Sequence, residues 1–165
     1  MSTASHVWDS NILIRLNREI VPPDVWGSYW DVLQQIYCEG KWDLLQVVRE
    51  ELMKGNDFLK EWICQPCFHP IPVDDPDTIQ AYSEIMTALN RSNRYQEPAL
   101  HLYADSADSW IVAYAKAHSA VIVTLEKPAP DRKSRVKIPD VASTYSIRCI
   151  DHNQYFRHPD ILVKF

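Results

Sequence analysis

The stretch Val7-Trp8-Asp9-Ser10-Asn11-Ile12-Leu13-Ile14 is short, apolar and β-branched, with one polar interruption. It reads as a buried strand that ends near Asp9 and turns into a short helix. A second stretch, Ala120-Val121-Ile122-Val123-Thr124, reads as another buried strand. The helix-periodic run Asp105 to Ala117 leads into it. Leu44 to Val48 gives a further buried strand feeding a short helix over Arg49 to Lys54, and Ile147 to Ile150 a last core strand. Helices are expected over Val25 to Tyr37 (closed by Gly40), Phe58 to Ile63, Asp77 to Leu89, Pro139 to Tyr145 and Asn153 to Arg157. Residues 64–76, with four prolines, residues 90–98 and residues 127–137 are loops. Near-continuous apolar strands alternating with helices predict an α/β fold with a parallel sheet covered on both faces.

Composition narrows the function. The chain has 165 residues, enough for one domain spanning 1–165 with its own core. Only three glycines are present, at 27, 40 and 55, so no glycine-rich phosphate cradle can be built. The net charge of −5 argues against a protein held to nucleic acid by charge alone. It leaves room for a nuclease whose clustered acids are neutralised by metal ions. No apolar run is long enough to span a membrane. Met1 to His6 has neither a basic start nor an apolar run, so no signal peptide is expected, and the expected location is cytoplasmic with reduced cysteines.

In an open α/β sheet, sites form at the carboxyl ends of strands. That rule selects Asp9, Glu50 or Glu51, and Glu126. Asp105 and Asp108 open the helix that feeds the strand ending at Thr124. Acids gathered from separate segments repel one another, by about 4 kcal/mol for a pair 4 Å apart at an effective dielectric of 20. Oxygen-only ligands suit Mg²⁺ or Mn²⁺. Such ions can activate water and orient a phosphodiester, which points to metal-dependent phosphodiester hydrolysis.

Four segments carry a resemblance to PIN-domain nucleases. Asp9-Ser10-Asn11-Ile12-Leu13-Ile14 resembles their first strand motif, and Val47-Val48-Arg49-Glu50-Glu51-Leu52 the second acidic motif, in a register that matches Glu51. Ala107-Asp108-Ser109-Trp110-Ile111-Val112-Ala113 resembles the third motif. Val121-Ile122-Val123-Thr124-Leu125-Glu126 resembles the fourth, with Glu126 where the family has Asp. Lys137-Ile138-Pro139-Asp140-Val141 resembles a prokaryotic PIN-like subfamily in which Ile-Pro-Asp follows the fourth strand, which makes Asp140 a fifth candidate ligand. The resemblance implies a three-layer α/β/α sandwich with a central parallel sheet. It implies an endoribonuclease using Mg²⁺ or Mn²⁺, with Asp9, Glu51, Asp108 and Glu126 as catalytic and metal-binding residues. Such proteins are often the toxin of a toxin–antitoxin pair, with an antitoxin or regulatory protein as partner, and the early helices can also pair two copies as a homodimer.

The loop holding Lys127, Arg132, Lys133, Arg135 and Lys137 against Asp131 has a local charge of +4. Beside an acidic metal site it is a candidate RNA grip. Each acid also has a plainer role as a helix cap or first-turn acid. Cys64-Gln65-Pro66-Cys67 with His69 lacks the second ligand pair that structural zinc wants. It is read as small apolar residues in a loop, ahead of zinc or a redox dithiol, and Cys38 and Cys149 are read as lone cysteines on apolar faces. A PIN-like module that binds RNA or a protein without cutting is the alternative to the nuclease. A haloacid-dehalogenase-type phosphatase ranks last, because Asn11 stands where that family wants a second Asp.

Overall fold

The computed structural model describes residues 5–161 and 163. Met1 to Ala4, most of the segment judged not to be a signal peptide, lie outside them. Among the described residues no helix is long and apolar enough to cross a membrane.

The architecture is mixed α/β around a small parallel sheet. Strand β1 (His6–Trp8) is followed by helix α1 (Ser10–Arg15), which widens into a π turn over Leu16–Ile20. Helices α2 (Gly27–Cys38), α3 (Gln46–Met53), α4 (Phe58–Ile63), α5 (Pro76–Arg91), α6 (Glu97–Ala104) and α7 (Ala107–His118) precede β2 (Val121–Val123). Helix α8 (Ile138–Thr144), strand β3 (Cys149–Ile150) and helix α9 (His152–Phe156) complete the chain.

The strand order is β1-β2-β3, all parallel. Val7 pairs with Ile122, and Ile122 with Cys149. Beyond β1, single parallel bridges join Val7 to Asp43 and Leu45 to Ile71. Five extended segments therefore lie side by side, with β1 at the centre and β2 between it and the edge strand β3. All residues of β1 and β2 are buried, which is why their sequences are continuously apolar rather than alternating.

Trp8 at the end of β1 is fully buried. It meets Tyr155 edge-on at 5.0 Å and Trp42 at 5.7 Å, so α9 and the segment before α3 close over one face of the strand. Helix α5 packs along α7, where Tyr82 stacks on Trp110 at 4.1 Å. Gly40 has φ +74° beyond the end of α2, a left-handed residue of the kind that commonly terminates a helix.

Two expectations need correction. The segment Leu44 to Val48 is extended only to Leu45, and Gln46 already begins α3. Leu45, Val48 and Leu52 are buried at helical spacing, and a short apolar run of this kind reads the same for a buried strand and a buried helix. Residues 90–98 are not all loop. Helix α5 runs on to Arg91 and α6 starts at Glu97, with Pro98 in its first turn. Only Ala99 and Tyr103 of α6 are buried, while Leu102 is exposed, so the helix carries little apolar periodicity.

Ile122 is fully buried on β2. Ile122→Ala should cost about 2–5 kcal/mol, measured by denaturant unfolding. A cost below about 1 kcal/mol would place that strand outside the core.

Candidate functional site

The site is built from the residues that end β1 and β2. Asp9 follows β1, and its N–H donates to Val123 O at 3.1 Å, which locks it beside the end of β2. Its side chain caps α1, accepting the Ile12 N–H on Oδ1 at 2.6 Å. The Thr124 hydroxyl donates to Asp9 Oδ2. The carboxyl is fully buried. Burial is the main reason its pKa rises to about 7, with Glu126 and Glu51 pushing the same way and the two hydrogen bonds opposing.

Glu51 lies in the second half of α3. It accepts the Ser10 hydroxyl on Oε2 and the Ala107 N–H on Oε1, the latter at 3.1 Å. Glu51 thereby satisfies a free N–H at the start of α7, a helix whose own Ser106 makes no capping bond. Glu50 is turned away and accepts from Gln46 Nε2 at 3.0 Å. Of the two neighbouring acids, Glu51 reaches Ser10 beside Asp9 and the start of α7, and Glu50 does not.

Asp108, in the first turn of α7, is 8% exposed. Its pKa is also raised to about 7, by burial first and then by Glu126, Asp9 and Glu51, with Arg135 opposing. From β3, Cys149 is pushed up to about 11 by burial and then by Asp9 and Glu126. Asp9, Glu51, Asp108 and Glu126 thus come together electrostatically from four segments. Asp105 ends α6 and is exposed.

Glu126 lies two residues beyond Thr124. Its N–H donates to Thr124 Oγ1 at 3.1 Å, and its Oε2 accepts the Ile138 N–H at 2.9 Å. Arg135 and Lys137 approach its Oε1 at 3.3 and 3.7 Å. Asp140 is held differently. Both of its oxygens accept the Ala129 N–H at 3.1 Å, and Arg94 lies 4.0 Å away. Arg94 also donates to Pro130 O at 2.6 Å, so Asp140 and Arg94 together pin the basic loop.

Two cavities flank Arg135. One of about 250 Å³ is lined by Asn11, Glu51, Ser106, Asp108 and Arg135, among others. The other, of about 310 Å³, is lined by Asn11, Arg15, Glu126, Lys127, Arg135 and Lys137, among others. Lys127, Arg135 and Lys137 of the basic loop therefore border the acids. Arg132 and Lys133 are exposed and line neither cavity.

Sequence reasoning singled out the acids and missed the residues that hold them or line the cavities beside them. Ser10, Asn11 and Thr124 lie in the quoted motifs, one or two residues from Asp9 or Glu126, and that adjacency was the available signal. Arg94 and Arg15 carried none.

The donor set is all carboxylate, which suits a hard divalent ion. Burial first, and repulsion from the neighbouring acids second, hold Asp9 and Asp108 partly protonated near pH 7, and a cation would offset both. Among the described residues no three His, Cys, Asp or Glu side chains are already closed around one point. Glu51 and Glu126 would have to loosen their hydrogen bonds within the chain to join Asp9 and Asp108. The residues fit such an ion by chemistry and charge.

Over residues 6–163 the chain matches the family described as Domain of unknown function (DUF4411). No curated protein matches it.

The raised Asp9 pKa sets a pH dependence. Between the unfolded value near 4 and the folded value near 7, the folded state keeps a proton that the unfolded state has lost. Stability from this group is present at low pH and is lost as pH rises through about 7. Without divalent ions, Asp9→Asn should therefore gain on the parent as pH rises from 4 to 8, by on the order of 3 kcal/mol. Thermal melts across that range check this. A constant offset at every pH would show that the carboxyl carries no electrostatic penalty.

Proposed function

This chain belongs to the DUF4411 family, and we propose that it is a PIN-like, metal-dependent endoribonuclease that hydrolyses RNA phosphodiester bonds. The observation that carries the reading is the electrostatic grouping of buried Asp9 and Asp108 with Glu51 and Glu126, beside two cavities that share Arg135, one lined by Glu51 and Asp108 and the other by Glu126. The proposed layering is a three-layer α/β/α sandwich about the parallel sheet, and the proposed location is the cytoplasm. The proposed biological setting is the toxin of a toxin–antitoxin pair, with an antitoxin or regulatory protein as partner and a homodimer as a further possible assembly.

Asp9 and Asp108 would hold Mg²⁺ or Mn²⁺, with Glu51 and Glu126 completing the shell. A bound ion supplies Lewis acidity and a more acidic water. The rest falls to the chain itself. Thr124 and the Ile12 N–H fix the Asp9 carboxyl in one orientation. Ser10 and the Ala107 N–H fix Glu51. Arg135, exposed and paired with Glu126, can turn its guanidinium to a phosphate, a planar bidentate partner for it. Lys127 and Lys137 extend the cationic rim along the path an RNA backbone would take. Asp140 serves this reading better as the anchor of the basic loop than as a ligand.

One observation favours a non-cleaving RNA-binding module instead. Glu126 is already satisfied by Ile138, Arg135 and Lys137, as an acid would be if no ion were to join it.

Single-stranded RNA incubated with Mg²⁺ or Mn²⁺ should be cut, and chelator should stop the cutting. Asp9→Asn and Asp108→Asn should each slow cleavage about a thousandfold, a barrier change of about 4 kcal/mol. Lys127→Gln with Arg135→Gln should weaken RNA binding and flatten its salt dependence while largely sparing the saturated rate. Equal cleavage by Asp9→Asn and parent would refute the assignment. RNA binding without cleavage under either ion would establish the non-cleaving module.

A further inference from the structure

The cysteines of the proline-rich loop have no part in the acid cleft, and the fold pairs them in a way the sequence does not. The end of α2 is tied to residues 67–69 at several points. The His69 N–H donates to Tyr37 Oη at 2.9 Å, and Tyr37 Oη lies 3.0 Å from His69 O. The rings of Tyr37 and Phe68 pack at 4.7 Å. Gln34 Nε2 donates to Cys67 Sγ at 3.1 Å. Gln34 and Cys38 stand four residues apart on α2 and so share a helix face. That face turns Cys38 toward Cys67. The Cys38 thiol is held above its ordinary value by desolvation first and by Cys67 second. Both sulfurs also push the Tyr37 hydroxyl up, after burial and Asp43.

Cys64, the other half of the Cys-x-x-Cys, faces elsewhere, with Arg49 Nη2 at 4.0 Å from its sulfur. All four cysteines are free thiols, with Cys38 exposed and Cys67 partly so. Cys38 is thus neither alone nor on an apolar face. It is the last residue of α2, and the chain beyond it turns at Gly40, where no atom lies within 4 Å of a would-be Cβ.

We propose that Cys38 and Cys67 are an oxidation site that closes to an intramolecular disulfide in the presence of a peroxide. One thiolate attacks a peroxide oxygen, breaks the O–O bond and becomes a sulfenic acid, and the departing hydroxide takes a proton to form water. The second thiolate attacks that sulfur and expels hydroxide, which is likewise protonated to water. Overall two thiols and one hydrogen peroxide give one disulfide and two waters, and the cysteines supply both electrons. The bond would clamp the end of α2 to the proline-rich loop across 28 intervening residues. The proposal is independent of the nuclease reading, since none of its residues lines the acid cleft.

The test treats the reduced full chain with hydrogen peroxide, alkylates remaining thiols, and maps the peptides by mass spectrometry without reductant. The expected product is a monomer lighter by two hydrogens, with a Cys38–Cys67 cross-linked peptide that dithiothreitol reverses. Cys64→Ser and Cys149→Ser should still form it, and Cys38→Ser and Cys67→Ser should lose it. A Cys64–Cys67 link or a link between two chains in its place would overturn the proposal. So would Cys38 and Cys67 remaining unlinked at a dose that fully oxidises free cysteine in the same tube.

Discussion

The structure turns on a carboxyl group placed where water cannot reach it. Asp9 ends β1 with its backbone in the sheet and its side chain capping α1, so its position is set by the fold rather than by a flexible arm. Thr124, at the matching point of β2, donates to the outer oxygen. Those bonds favour the ionised form, yet burial and the acids around it win, and the pKa rises to about 7. The outcome is a carboxyl group held in one orientation that can gain or lose its proton near neutral pH.

The neighbouring acids are held by backbone amides. Glu51 satisfies the first N–H of α7, and Glu126 satisfies the first N–H of α8. Each of these carboxylates therefore fastens a helix start to the site. The basic loop is stitched down at both ends, through Glu126 to Arg135 and Lys137 and through Asp140 to Ala129, with Arg94 alongside. Cations and acids lie side by side because Glu126 and Asp140 fix the basic loop.

Much of this was legible in the chain itself. The apolar runs of β1 and β2 mark buried parallel strands, and the acids immediately after them mark the carboxyl edge. Val47 and Val48 misled because a β-branched pair looks alike in a buried strand and in a buried helical turn, and only the pairing of Leu45 with Ile71 separates the two. Helix α6 was hidden because just two of its residues face the core. The roles of Arg94 and Asp140, and the pairing of Cys38 with Cys67, depend on contacts between residues tens of positions apart, which no local pattern encodes. Among the loop cations, charge alone could not distinguish Arg135, at the cleft, from Lys133, which is turned to solvent.

In the proposed site a divalent ion displaces the protons of the buried acids. Calorimetric titration with Mn²⁺, repeated in buffers of different ionisation enthalpy, tests it most directly. Near pH 6, where Asp9 and Asp108 are both largely protonated, each bound ion should release about two protons, and the release should fade above pH 8. Mn²⁺ binding with no proton release at pH 6, or no binding at any pH, would contradict the account.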